Sequence, residues 1–338
     1  MGQLIDGRWI VDAADKPKDS DGVYRRRPSV WRDTVEDTPG ARFPVEQGRY
    51  HLYVAWACPW AHRTLLARKL LGLEAALPVS VVAPDMLDQG WVFDDAHPDA
   101  LYGLGRLYEL YQRDDPEATT RVTVPVLWDT VQQRIVNNES SELIRMFSGP
   151  FRRLQRPDAL LAGHELRPPE LVEELDAVND RIYTTLNNGV YKAGFARTQA
   201  AYEAAVGELF DTLDWLEQRL QDRRWLVGDR ITEADLRLFP TLLRFDLVYH
   251  HHFKCSRSRL RDLPALWAYT RDIFQLPGVR DTLNIGETRR HYFCSHESIN
   301  PQRILPICPA VDFDEPHARA QLGGLKGRPS ATEQRAAG

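Results

Sequence analysis

The chain has 338 residues and 38.8 kDa, is 43% hydrophobic, 27% charged and 10% aromatic, and carries a formal net charge of −5. That length supports about two domains with a sizeable core, and the composition excludes a disordered, collagen-like or disulfide-dense chain. The acidic balance argues against nucleic acid as a partner, because counterion release needs a clustered basic surface, and no run approaches the ~18 apolar residues of a membrane span.

Residues 1–45 read as a polar extension, interrupted by Pro17, Pro28, Pro39 and Pro44. Met1 to Lys18 holds Asp6, Asp12 and Asp15 and no apolar run, so a secretory leader is not expected. Asp6 stands where a myristoylation signal needs Ser or Thr, and the chain ends in Gly338 with no prenylation box. Arg25-Arg26-Arg27 reads as a solvated charge run. Tyr50 to Ala57 is rich in β-branched and aromatic residues and predicts a buried strand. Pro59 then opens a helix with Leu65, Leu66, Leu70, Leu71 and Leu73 at helical spacing and Gly72 near its end. Leu77 to Ala83 predicts a second strand, so the three form a βαβ unit.

Residues 84–120 read as an acidic, aromatic, weakly periodic insertion. Arg121 to Asp129 is a third strand with Pro125 inside it, Arg134 to Val136 a fourth, and Glu142 to Phe147 a helix. The order βαβ then ββα predicts a thioredoxin-like domain over residues 46–150. Residues 151–169 form a candidate linker, and residues 170–315 an all-helical domain. A polar tail over 316–338 is predicted to be mobile. The fold class is therefore α/β plus all-α. Within the second part, Gln199 to Leu220 is periodic. Thr232 can cap the helix that follows, with Asp235 three residues on and Ile231 and Leu236 as a staple.

Four cysteines (Cys58, Cys255, Cys294 and Cys308) are too few and too scattered for a secreted disulfide framework, which points to a reducing cytoplasm. Cys58 falls at the end of a predicted strand and the start of a predicted helix. There the amides and the helix dipole favour an anion and are expected to depress a thiol whose ordinary value is about 8.5. A dithiol oxidoreductase would place a second cysteine three residues on, and that residue is Ala61. A mixed disulfide at Cys58 must then be cleared by a thiol from solution or by distant Cys255, Cys294 or Cys308. Glutathione is the natural supplier. If Val124-Pro125 is cis, the Val124 backbone could pair with an extended peptide beside Cys58. Ahead of the next helix, Ser140 and its amide could hold a carboxylate and Glu139 an ammonium; the γ-glutamyl end of glutathione carries both. His250-His251-His252 with Cys255 lacks a second spaced ligand pair, so no metal is expected.

These segments resemble the Xi class of glutathione transferases, the glutathionyl-hydroquinone reductases, over roughly residues 5–310. The similar runs are Trp56-Ala57-Cys58-Pro59-Trp60-Ala61, Gly90-Trp91-Val92-Phe93, Thr123 to Asp129 and Asn138-Glu139-Ser140-Ser141-Glu142. Later come Val190 to Ala196, Asp246-Leu247-Val248-Tyr249-His250 and His291-Tyr292-Phe293. The first set is shared with Omega-class transferases; the tyrosine-bearing set separates Xi from Omega. Leu143, where isoleucine is common, is a trivial departure. The resemblance implies a homodimer and Cys58 as nucleophile. It implies glutathione contacts from Trp91, Arg121, Val124, Glu139 and Ser140. Tyr191 would be the acid/base at the quinol ring, and Tyr249 and Tyr292 would donate hydrogen bonds that keep Cys58 ionised. The implied substrates are quinone–glutathione conjugates with glutathione as co-substrate. An Omega-like thioltransferase or dehydroascorbate reductase, and a non-enzymatic interaction module of the same fold, are the alternatives at this point.

Overall fold

The computed structural model describes residues 2–11, 21–307 and 310–325. Cys308, residues 12–20 and the end of the tail lie outside the described residues. The first half is built on a four-stranded sheet of β3 (Tyr50–Val54), β4 (Val79–Val81), β5 (Val126–Asp129) and β6 (Arg134–Asn137), in the order β4-β3-β5-β6. β3 and β4 run parallel with Leu52 opposite Val79, whereas β3/β5 and β5/β6 are antiparallel. All five residues of β3 are buried, as a strand covered on both faces requires. α1 (Pro59–Leu70) is the crossover, and α3 (Ser140–Ser148) follows β6, so the thioredoxin-like βαβ–ββα order is present. Gly72, at φ +70°, ends α1; a side chain there would meet the Ala159 methyl at 2.5 Å.

Three stretches depart from the sequence reading. The extension contains a hairpin, β1 (Gln3–Ile5) and β2 (Arg8–Ile10), turned at Asp6–Gly7 and paired through Leu4 with Thr120. The insertion contains α2 (Leu107–Asp114), whose Leu107, Leu110 and Tyr111 enter the core. Two turns of helix are too short for a periodic pattern to stand out. The described part of the tail is docked. Arg319 is buried and donates to Leu220 O at 2.9 Å, while Trp225 Nε1 donates to Gly324 O at 2.6 Å.

The second half is helical: α4 (Val172–Arg181), α5 (Gly189–Gly194), α6 (Gln199–Arg219), α7 (Glu233–Arg244), α8 (His250–His252), α9 (Pro264–Phe274) and α10 (Ile285–Ser295). The Thr232–Asp235 cap forms, with the Thr232 amide donating to Asp235 Oδ2 at 2.8 Å. π-helical turns at Ile182–Asn187 and Phe245–Tyr249 precede α5 and α8. α1 lies between the sheet domain and α7 and is buried along nearly its whole length. The N-terminus of α1 therefore opens where the two halves meet.

Candidate active site

Cys58 is the N-cap of α1. Its sulfur accepts from the Ala61 amide at 3.5 Å, and its thiol donates to Val124 O at 3.4 Å. Val124–Pro125 is cis. The loop before Cys58 is gripped from the helical half: buried Arg244 donates to Ala57 O at 3.0 Å and to Trp56 O at 2.9 Å. Burial pushes the Cys58 thiol up, against the pull of the Ala61 and Trp60 amides and of Arg26 and Arg244, and burial wins. This reverses the depressed thiol expected from the helix N-terminus. Desolvation of the sulfur outweighs two amides and two cations.

One pocket gathers Arg121, Val124, Glu139 and Ser140, with Trp60 as part of its wall. Glu139 is the N-cap of α3 and accepts at Oε1 from the Ser141 amide at 3.1 Å; its Oε2 accepts from Ser29 Oγ at 3.0 Å. Burial pushes this carboxyl up, but the Ser141 amide, the Arg63 charge and the Ser141 and Ser29 hydroxyls carry it below its ordinary value. It is an anion at neutral pH. Ser140 Oγ accepts from buried Arg63 at 3.3 Å, so that hydroxyl is oriented by a cation from α1.

Across from this wall, three helical elements bring three phenols together. Tyr191 on α5, Tyr249 at the end of a π turn and Tyr292 on α10 meet at one oxygen. Tyr292 OH bonds Tyr191 OH at 2.7 Å and Tyr249 OH at 3.0 Å. Burial raises all three, Tyr249 to about 12, and the charge of Cys58 raises Tyr191 and Tyr249 further. All are protonated at neutral pH. The expected hydrogen bonds from Tyr249 and Tyr292 to the sulfur are not made among the described residues, because the hydroxyls satisfy one another instead.

Two family models match the chain: glutathione S-transferase N-terminal domain at residues 57–148 and glutathione S-transferase C-terminal domain at residues 199–272. Glutathionyl-hydroquinone reductase YqjG of Escherichia coli (strain K12) is 50% identical over 94% of this chain and 98% of its own length. Glutathionyl-hydroquinone reductase PcpF of Sphingobium chlorophenolicum is 49% identical over 92% and 97%. A solved Xi-class transferase from Natrialba magadii superposes with a TM-score of 0.88 at 44% identity, covering 96% of this chain and 98% of that one. The chain belongs to the Xi class of glutathione transferases. The glutathione-bound structure of YqjG is similar over 94% of this chain and 99% of its own, at a TM-score of 0.84 and 45% identity.

In this Xi-class transferase Trp91 stands apart from the pocket just described. It is buried and stacked on His291, ring centroids 4.8 Å apart at 17°. The histidine run does not converge: only His252 is buried, its Nε2 3.1 Å from His296 Nδ1, while His250 is half-buried and His251 exposed. Among the described residues no group of three or more His, Cys, Asp or Glu side chains could hold a metal.

Sequence reasoning passed over the extension. Tyr24 stacks on Tyr191 at 6.5 Å, Arg26 lies over the Trp60 ring at 4.3 Å, and Ser29 bonds Glu139. The Arg25–Arg27 run was the one available signal, and residue type alone reads it as solvated. Arg63 and Arg244 were equally hidden, since their partners lie far along the chain.

Proposed function

We propose that the chain reduces S-glutathionyl-hydroquinones to hydroquinones with glutathione, through a mixed disulfide on Cys58. The carrying observation is the position of this sulfur. It sits at the start of α1 beside Val124 O, with Arg121, Glu139 and Ser140 along one wall and three protonated phenols facing it. The wall matches glutathione: Glu139 for its ammonium, and Ser140 at the α3 N-terminus together with Arg121 for its carboxylates.

In the first step the Cys58 sulfur attacks the sulfur of the conjugate. The new bond is Cys58–S–SG, and the sulfur–ring bond breaks with its electron pair passing to the ring carbon. That carbon takes one proton from Tyr191, and the hydroquinone leaves. Cys58 surrenders one proton on attack, so the count closes within the site. A second glutathione thiolate then attacks the mixed disulfide, releasing oxidised glutathione and the Cys58 thiolate. The raised Cys58 thiol works against the resting thiolate population, and the pull of the Ala61 and Trp60 amides and of Arg26 and Arg244 on the anion offsets part of that cost when the proton leaves on attack.

The tyrosine set supports this reading over an Omega-like thioltransferase, and Ala61 in place of a second thiol argues against a dithiol oxidoreductase. A homodimer and a cytoplasmic setting go with it, supported by the family resemblance and by the need for a reduced glutathione pool. No helix among the described residues is long and apolar enough to cross a membrane. The test is mass spectrometry of the protein mixed with one equivalent of a glutathionyl-hydroquinone. A glutathione adduct on Cys58 together with stoichiometric hydroquinone is the expected outcome; hydroquinone release without that adduct would refute the covalent route.

A further inference from the structure

Segment 21–32, polar and rich in arginine, forms one wall of the pocket. At one end Thr198 Oγ1 donates to Asp21 O at 3.2 Å and Arg197 N to Gly22 O at 3.1 Å. At the other, Ser29 Oγ donates to Glu139 Oε2 at 3.0 Å and Trp31 Nε1 to Asp114 Oδ2 at 2.7 Å. Between these anchors Tyr24 packs on Tyr191, and Arg26 spreads its guanidinium over Trp60 with the centroid 4.3 Å away. The contacts follow the chain in order, from the tyrosine cluster to the Glu139 pole. Arg26 therefore falls between the two, at the sulfur end of the site. Its charge acts on both Cys58 and Tyr191, pulling each down against burial.

Unlike Arg25 and Arg32, Arg26 has no carboxylate partner among the described residues: Arg25 pairs with Asp21, and Arg32 Nε donates to Glu142 at 2.7 Å. Trp60, which it covers, also carries Arg63 at 4.5 Å, so the ring holds two guanidinium groups in place. Glutathione has two carboxylates and one ammonium, and Ser140, Arg121 and Glu139 account for them. Arg26 is left over, beside the position the ring must occupy to meet Tyr191.

We propose, resting on the function above, that Arg26 is a specificity-determining residue that selects conjugates whose leaving ring carries an anionic substituent. Two contributions act in the same direction. The electron pair of the broken sulfur–carbon bond moves onto the ring, so negative charge grows there in the transition state and a nearby cation stabilises it. A ring carboxylate adds a permanent ion pair with the same guanidinium. Arg26 is exposed, so both contributions are screened by salt.

The experiment compares kcat/KM for the glutathionyl conjugates of methylhydroquinone, which is neutral, and of carboxyhydroquinone. At low salt the unaltered protein prefers the carboxylated conjugate by about tenfold, and the preference shrinks in about 0.5 M salt. Arg26→Gln brings the two conjugates within about twofold of each other, whereas Arg26→Lys, which keeps the charge, retains most of the preference. The rate at which glutathione discharges the Cys58 mixed disulfide, followed separately, falls less than the rate on the carboxylated conjugate. An Arg26→Gln protein that keeps the original ratio overturns the assignment, as does one in which both conjugates fall in parallel. If the unaltered protein turns over neither conjugate, the proposed reductase function fails and this inference with it. That outcome is distinct from an active enzyme with an unchanged ratio.

Discussion

The two walls of the site are made in different ways. The sheet wall is written in backbone: Cys58 caps α1 as it leaves β3, Val124 precedes β5, and Glu139 caps α3 as it leaves β6. Each position is the end of a strand or the start of a helix, so local folding puts the group in place. The helical wall is written in side chains. Tyr191, Tyr249 and Tyr292 come from separate elements and agree on one place only through a shared hydroxyl cluster. A backbone-built wall suits binding and covalent capture, which need fixed donors and acceptors. A side-chain-built wall suits proton transfer, where a phenol raised by burial holds its proton until a stronger base forms beside it.

Substitutions on each wall test this division. The largest effect is expected for Cys58→Ala: reductase turnover falls by at least about a thousandfold, because the nucleophile is gone while both walls remain. Steady-state release of hydroquinone measures it, and retained turnover would end the distinction between the walls. Next comes Arg244→Met, which leaves the buried Ala57 carbonyl without its side-chain donor, takes one of two donors from Trp56 O and unties the cysteine loop from α7. A loss of about 3 kcal/mol is expected, read as a lower denaturation midpoint.

Tyr191→Phe sharpens the comparison. The single-turnover rate on a glutathionyl-hydroquinone falls about a hundredfold, as for loss of a general acid. Discharge of the Cys58 mixed disulfide by glutathione, which moves no proton to a ring, changes far less. Equal losses in both half-reactions would mean that the helical wall serves binding as well.

The smallest effect belongs to Glu139→Gln, and it depends on pH. The Glu139 carboxyl lies below its ordinary value in the folded protein, so its stabilisation is complete above the unfolded value near 4.3 and is lost as pH falls through the folded value. Replacement is expected to cost about 1 kcal/mol near neutrality, as for loss of a helix cap, and almost nothing in strong acid. Denaturation midpoints at the two pH values check it, and a difference that grew on acidification would contradict the charge assigned to this residue.

The sheet wall was legible because its signals are local. A strand run, Cys58-Pro59 and a leucine spacing lie within some twenty residues, and Glu139-Ser140 marks a helix start on the same terms. Family resemblance named the tyrosines, but residue chemistry alone could not separate three phenols from the other nine. The extension was misjudged for the same reason: Tyr24, Arg26 and Ser29 have partners at Tyr191, Trp60 and Glu139, and no spacing rule reaches that far.

The order of elements along the chain, the α1 crossover, the position of a lone cysteine at a helix start and the lack of a second thiol three residues on all follow from residue types and short spacings. Backbone preference and burial pattern act over only a few turns of chain. The protonation of Cys58, the meeting of three phenols at one oxygen and the arginine wall of segment 21–32 depend on distant parts packing together. Desolvation and charge act through space, so their balance at the sulfur exists only once the two halves have closed on it.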